Sequence, residues 1–239
     1  MKHIDLSDSQ NLIETPDLSG VPNLEKLELK SCTSLSKVHP SIGFLGRLKR
    51  LNLYGCNLSN GAIPSDLSCL SSLEDLNLSR NKFTRIPYSA WQLSNLGNLD
   101  LRYCNLLDGA IPNDLSCLPS LFFFGLSGNK FTRIPDSVAQ LSNLLILELD
   151  HCSWLQVLPK LPLRLAHLSV RNCPLLELFC KQMELWRTSN EKVRSIDCSF
   201  VQAYIDYDGK PFKILRLHPQ SPLWKNSEVS LLVISFLTH

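Results

Sequence analysis

The chain has 239 residues, of which 44% are hydrophobic and 19% charged, and carries a formal net charge of +2. This composition fits a folded soluble protein, and so small a charge spread over scattered basic residues gives no argument for nucleic acid or an anionic membrane surface. The opening residues Met1 to Asp8 lack an apolar signal core, and the longest apolar run, near Leu231 to Leu237, is too short to span a bilayer.

From the first residues onward, apolar positions recur in one frame. In Leu73 to Pro87 they fall at Leu73, Leu76, Leu78, Phe83 and Ile86, with Asn81 between them. Around Leu76-Asn77-Leu78 the period is two, so a short strand turns Leu76 and Leu78 inward and leaves Asp75, Asn77 and Ser79 to water. Asn81 then bends the chain, its buried carboxamide satisfying backbone groups that a turn leaves unpaired. Phe83 and Ile86 close the far side of the core, and Pro87 stops the strand. The same frame starts at Met1, Leu24, Leu48, Leu73, Leu96, Leu121, Leu144 and Leu165, at spacings of 21 to 25 residues. Its inward pairs are Ile4/Leu6, Leu27/Leu29, Leu51/Leu53, Leu76/Leu78, Leu99/Leu101, Phe124/Leu126, Leu147/Leu149 and Leu168/Val170. One unit cannot bury its own apolar face, so the units must stack. Eight stacked strands give an inner arc of roughly 34 Å.

This spacing is similar to the signature of the leucine-rich repeat. The resemblance implies an α/β solenoid: a horseshoe with a parallel β-sheet on the concave face and short helical or irregular convex connections. Pro64 to Leu70 and Pro87 to Leu93 are long enough for one or two helical turns. Trp91, equivalent to Leu67 and Val138, is expected in the core. A longer period overlies the short one. Cys56 to Pro64 returns as Cys104 to Pro112, and Lys82 to Pro87 returns as Lys130 to Pro135, both after 48 residues. A two-repeat unit has been duplicated in tandem. Met1 stands where a repeat leucine belongs, so the chain is expected to be a piece of a longer protein or a truncated relative of one.

Nine cysteines are present. Cys32, Cys56, Cys104, Cys152 and Cys173 share the repeat slot of Asn81 and Asn129, and Cys69 and Cys117 share a second slot. Cysteines placed by a repeat are expected to be buried core thiols, which implies a reducing compartment. No Cys/His spacing suits zinc. The repeats are assigned to residues 1–180. Residues 181–239 are expected to form a small, incomplete β-rich appendage, with strands at Val193 to Cys198, Lys213 to Leu217 and Val229 to Leu237 and a turn at Asp208-Gly209.

The alternation of Cys with Asn resembles the repeats of plant intracellular disease resistance proteins that carry TIR and nucleotide-binding domains. Lys2 to Ser9 with Thr15-Pro16-Asp17, and Leu158 to Pro162 followed by Leu168 to Cys173, carry that resemblance. It implies a non-enzymatic recognition module that binds a pathogen effector or a host protein, contributes to autoinhibition through the receptor's nucleotide-binding domain, and works in the cytoplasm, with the nucleus open as well. It implies no cofactor for this chain, which contains no phosphate-binding loop and no TIR region. The alternative is an extracellular repeat receptor, suggested by Gly-Ala-Ile-Pro and by the sequons at Asn57 and Asn77. Against it, the first sequon falls between core residues.

Ligand contact is expected on the concave face, from Arg50, Tyr54, Asp75, Asn77, Arg80, Asp100, Arg102, Tyr103, Phe123, Glu148, Asp150, His151, His167 and Arg171. Tyr, Arg and Phe are the types that dominate interface energetics. Phe123 is singled out because Phe124 already fills the core beside it. Asp150, His151 and His167 could form an acid/base group, but no nucleophile, oxyanion hole or pocket accompanies them, so catalysis is not expected.

Overall fold

The computed structural model describes residues 1–176 together with the strands Ser195–Asp197, Val201–Tyr204 and Arg216–Leu217. Eight three-residue strands follow in order: β1 His3–Asp5, β2 Lys26–Glu28, β3 Arg50–Asn52, β4 Asp75–Asn77, β5 Asn98–Asp100, β6 Phe123–Gly125, β7 Ile146–Glu148 and β8 His167–Ser169. Each pairs in parallel with the next, so Ile4, Leu27, Leu51, Leu76, Leu99, Phe124, Leu147 and Leu168 stand in one register line. From Leu27 onward this column is buried. A fully buried leucine contributes about 1.5–3 kcal/mol, and the stack repeats that contribution at every turn.

The strands are short because the chain turns at the same point in every repeat. Asp8, Ser31, Gly55, Arg80, Tyr103, Gly128, His151 and Asn172 all adopt left-handed backbone, with φ between 54° and 70°. Behind that turn runs a second ladder. The Cys32, Cys56, Cys104, Cys152 and Cys173 thiols donate to the carbonyls of Leu6, Leu29, Leu78, Leu126 and Leu149, and the Asn81 and Asn129 amides donate to Leu53 and Leu101. Asn81 Oδ1 also accepts from the Leu58 N–H, and Asn129 Oδ1 from those of Cys104 and Leu106. A thiol has one hydrogen to donate where a carboxamide donates two and also accepts, so the two asparagines tie consecutive repeats more firmly. Burial pushes the Cys56, Cys104 and Cys152 thiols up to about 12 and Cys173 up to about 11, which keeps them protonated donors.

Cys69 and Cys117 depart from expectation: both are exposed. Leu67 and Leu70, and Leu115 and Leu118, fill the core there, and the cysteine between them falls on the outer side of the turn. The convex connections are short and either helical or irregular, as expected: among the described residues three 3-10 segments form, at Pro40–Phe44, Tyr88–Gln92 and Asp136–Gln140, while Pro64 to Leu70 has turns and no helix. Ser41, Ser89 and Ser137 are buried within these segments, and Ser89 Oγ donates to the Ser65 carbonyl, fastening each connection to its neighbour. Trp91 is buried and meets Phe124 edge-on at 6.1 Å, as its repeat equivalents imply.

Strand β9, Ser195–Asp197, continues the sheet in parallel beside β8, followed by β10 Val201–Tyr204 and β11 Arg216–Leu217 in antiparallel pairing. The Asp208-Gly209 turn and the Val229 to Leu237 strand lie outside the described residues.

Candidate protein-binding face

The concave face has a leading edge, where the chain enters each strand, a floor, and a trailing edge at the left-handed turn. The leading edge changes character halfway along. In the first four repeats it is ionic: Lys2 meets Glu25 at 2.7 Å, Lys26 meets Glu28 at 3.0 Å, and Arg50 meets Asp75 at 3.2 Å. Asn52 Nδ2 donates to Glu28 at 2.7 Å. Burial raises the Asp75 pKa above its ordinary value; Arg50 opposes this, while Glu28 and Asp100 add to it. Asn77 is half-buried and accepts from the Ser79 N–H and hydroxyl. Ser79, expected at the water surface, is buried by that local bond.

In the sixth and seventh repeats the leading edge becomes apolar. Phe122 is 46% exposed and Leu145 40% exposed, at equivalent positions of adjacent repeats. Phe123 and Ile146 pair in register beside them and are half-buried. The Phe122 ring lies where a Cβ on Gly97 would sit 2.8 Å from it, so glycine there makes room for the ring. Phe123 is not free of a folding role: its ring lies against Gly125 and under the Arg102 guanidinium, 5.8 Å from its centroid. Sequence reasoning chose Phe123 and missed Phe122, Leu145 and Ile146. The signal was available in the column Lys2, Glu25, Lys49, Glu74, Gly97, Phe122, Leu145, Ala166, which turns from charged to apolar.

On the floor, Asp100 is only 4% exposed, against the expectation that it faces a partner. Arg102 grips it with two bonds, Nε to Oδ1 at 2.9 Å and Nη2 to Oδ2 at 2.6 Å, and reaches Glu148 with Nη1 at 2.9 Å. The Asp100 carboxylate beside it raises the Arg102 pKa, fixing the guanidinium as a cation. One planar cation thus ties repeats five and seven across Gly125, whose missing side chain leaves the gap. Asp100, Arg102 and Glu148 form a closed ionic unit bordering the apolar patch.

Along the trailing edge, cations and rings alternate. Lys30 Nζ lies 5.7 Å from the Tyr54 ring, and the Arg80 guanidinium lies 6.0 Å from Tyr54 and 5.1 Å from Tyr103. Tyr103 reaches on to His151 at 6.3 Å between ring centroids. A Cβ on Gly128 would be 2.2 Å from the Tyr103 ring, so only glycine lets Tyr103 lie across the sixth repeat. Arg80 and Tyr103 hold left-handed backbone without the short polar side chains that tolerate it, at a cost of about 1–2 kcal/mol each.

Asp150, His151 and His167 do not form a catalytic group. His167 stands on the leading edge in β8 and His151 on the trailing edge of the seventh repeat. The Asp150 carboxylate accepts from the Ser169 hydroxyl and the Arg171 N–H, both at 2.7 Å, and His151 Nδ1 lies 3.3 Å from the Asn172 amide. Among the described residues, no group of three or more His, Cys, Asp or Glu could hold a metal ion, and no helix is long and apolar enough to cross a membrane. A convex groove of about 450 Å³ opens over the fourth repeat, between Gly61 and Gly109 of the longer repeats on either side, with Phe83, Ile86 and Trp91 among its lining.

The Leucine Rich Repeat family model matches residues 47–70 and 72–93. TMV resistance protein N of Nicotiana glutinosa is 43% identical over 56 residues, covering 23% of this chain and 5% of that protein. Disease resistance protein RPS6 of Arabidopsis thaliana is 35% identical over 95 residues, covering 29% of this chain and 8% of the relative. The matched segments are thus a small part of those relatives' length. Among solved structures, a leucine-rich-repeat protein of Leptospira interrogans is similar with a TM-score of 0.53 and 26% identity, over 82% of this chain and 60% of that one. Two of the repeats thus match the Leucine Rich Repeat family model, and over the matched segments the chain is similar to plant disease resistance proteins.

Proposed function

We propose that this chain is the non-enzymatic recognition module of an intracellular plant immune receptor, binding a pathogen effector or a host protein on its concave face. The observation that carries this is the apolar patch of Phe122, Phe123, Leu145 and Ile146. Two of its large side chains stand 40% exposed or more on a sheet whose core is complete without them. Apolar residues grouped this way, rimmed by charge, mark interaction sites more than scattered ones do. The similarity to resistance proteins supports the immune context, and the five buried thiols suit a cytoplasmic or nuclear setting, since their slot needs a reduced donor. In a full receptor the same face would also hold the nucleotide-binding domain inactive.

The test is proximity labelling in plant cells with the full chain and a Phe122→Asp/Leu145→Asp variant. Partners lost by the variant, with an unchanged melting temperature, support the proposal. An identical partner set from both chains rejects it.

One observation favours the extracellular reading. Asn57, between buried Cys56 and Leu58, is itself exposed in a left-handed turn. Its flanking core residues therefore do not shield it from glycosylation. Secretion of the chain with a glycan on Asn57, binding an apoplastic ligand, would establish that reading.

A further inference from the structure

The trailing edge carries cations that the fold itself does not neutralise. On the floor and leading edge, Lys26, Arg50 and Arg102 each meet a carboxylate of this chain at 2.6–3.2 Å. Among the described residues, no carboxylate lies at ion-pair distance from Lys30 or Arg80. Both are exposed, and tyrosine rings instead of acids hold them in place. The backbone strengthens the point. Gly55 and Gly128 fill the same left-handed slot without strain, yet Arg80 and Tyr103 occupy it with large side chains. Gly128 in turn is required by the ring that Tyr103 lays over it. A strained position that keeps a cation pointed at solvent is a place where a ligand is expected.

We infer that the row Lys30–Tyr54–Arg80–Tyr103–His151 is a docking edge for an acidic, extended protein segment. This rests on the concave-face recognition proposed above and names the chemistry of the partner there. The guanidinium of Arg80 offers paired N–H donors to a carboxylate, and the flanking rings restrict its rotation before binding. A protein segment fits better than single-stranded nucleic acid because Lys30 and Arg80 already lie over the Tyr54 and Tyr103 rings, where stacked bases would have to displace them.

The test is fluorescence anisotropy of the full chain with a labelled hexaglutamate peptide and, in parallel, an oligothymidylate of similar length. Saturable peptide binding that weakens with salt, and falls roughly tenfold in Arg80→Gly, is expected. Because glycine relieves the backbone at that slot, the melting temperature of Arg80→Gly should hold or rise as binding falls. Tyr103→Gly, which removes the ring but no charge, should weaken the peptide less. Absent peptide binding, binding indifferent to Arg80→Gly, or a melting temperature that falls with it would overturn the inference. Tighter binding of the oligothymidylate would overturn it in favour of nucleic acid. Phe122→Asp should leave peptide binding unchanged, so failure of the apolar patch and failure of this edge are read separately.

Discussion

The two halves of the concave leading edge share one backbone and one register but present opposite chemistry. In the first four repeats, Lys2, Glu25, Lys26, Glu28, Arg50 and Asp75 neutralise one another. In the sixth and seventh, Phe122 and Leu145 stand exposed with Phe123 and Ile146 beside them. A repeat fold separates its two tasks by position: inward residues specify the stack, and outward residues are free to vary turn by turn. The first half spends that freedom on ion pairs within the chain, and the second leaves apolar surface unpartnered.

The largest test asks whether the halves share their stability. Leu76→Asp in the ionic half and Leu147→Asp in the apolar half should each cost about 4 kcal/mol or more, because each buries an unpaired carboxylate. Chemical denaturation of both variants should give comparable losses. A much smaller loss in either would show that half to be loosely held.

Next comes the contrast between two arginines. Arg102→Ala strands the buried Asp100 carboxylate and should lower stability by about 2–3 kcal/mol, discounted because Arg102 itself is partly open to solvent. Arg50→Ala, whose side chain is 52% exposed, should cost about 0.5 kcal/mol. Equal losses by thermal melting would erase the distinction drawn between floor and edge.

Smaller still is the effect of Phe123→Ala. Its half-buried ring under Arg102 predicts a loss of about 1 kcal/mol. Phe122→Asp should change the melting free energy by less than about 1 kcal/mol while removing partner capture. If Phe122→Asp proved the more destabilising of the two, the exposed ring would belong to the fold.

The smallest effect is pH-dependent. Burial raises the Asp75 pKa above its ordinary value of 3.8, so its ionisation opposes folding. Its penalty is absent below the unfolded pKa and is fully present once pH has risen through the folded one. Asp75→Asn should therefore raise the melting temperature at neutral pH, with the gain vanishing in acid. A gain that persists unchanged below pH 3.8 would assign the effect to packing.

Much of the solenoid was legible because its core is periodic. The Leu76/Leu78 pattern located β4, and the Asn81 slot foretold the carbonyl ladder that the shared cysteines also serve. The site was less legible. Asp100 and Arg102 sit two residues apart and read as partner-facing, but Glu148, two repeats on, draws Arg102 across Gly125 and seals the acid. Cys69 and Cys117 read as core because a repeat placed them, yet their neighbours Leu67/Leu70 and Leu115/Leu118 had already filled it.

By itself, the sequence determined which residues stack. Inward positions recur at fixed spacing, and burial acts on each repeat alike. Only the tertiary structure decided which outward residues remain available. That depends on neighbours 23 to 46 positions away, as Asp150 with Ser127 and Arg102 with Glu148 show. It also depends on the left-handed turn, whose backbone geometry aims Arg80 and Tyr103 along one edge. Side-chain reach across parallel strands leaves no mark in a single repeat, so the ionic unit, the apolar patch and the cation–ring edge emerge only when the turns are stacked.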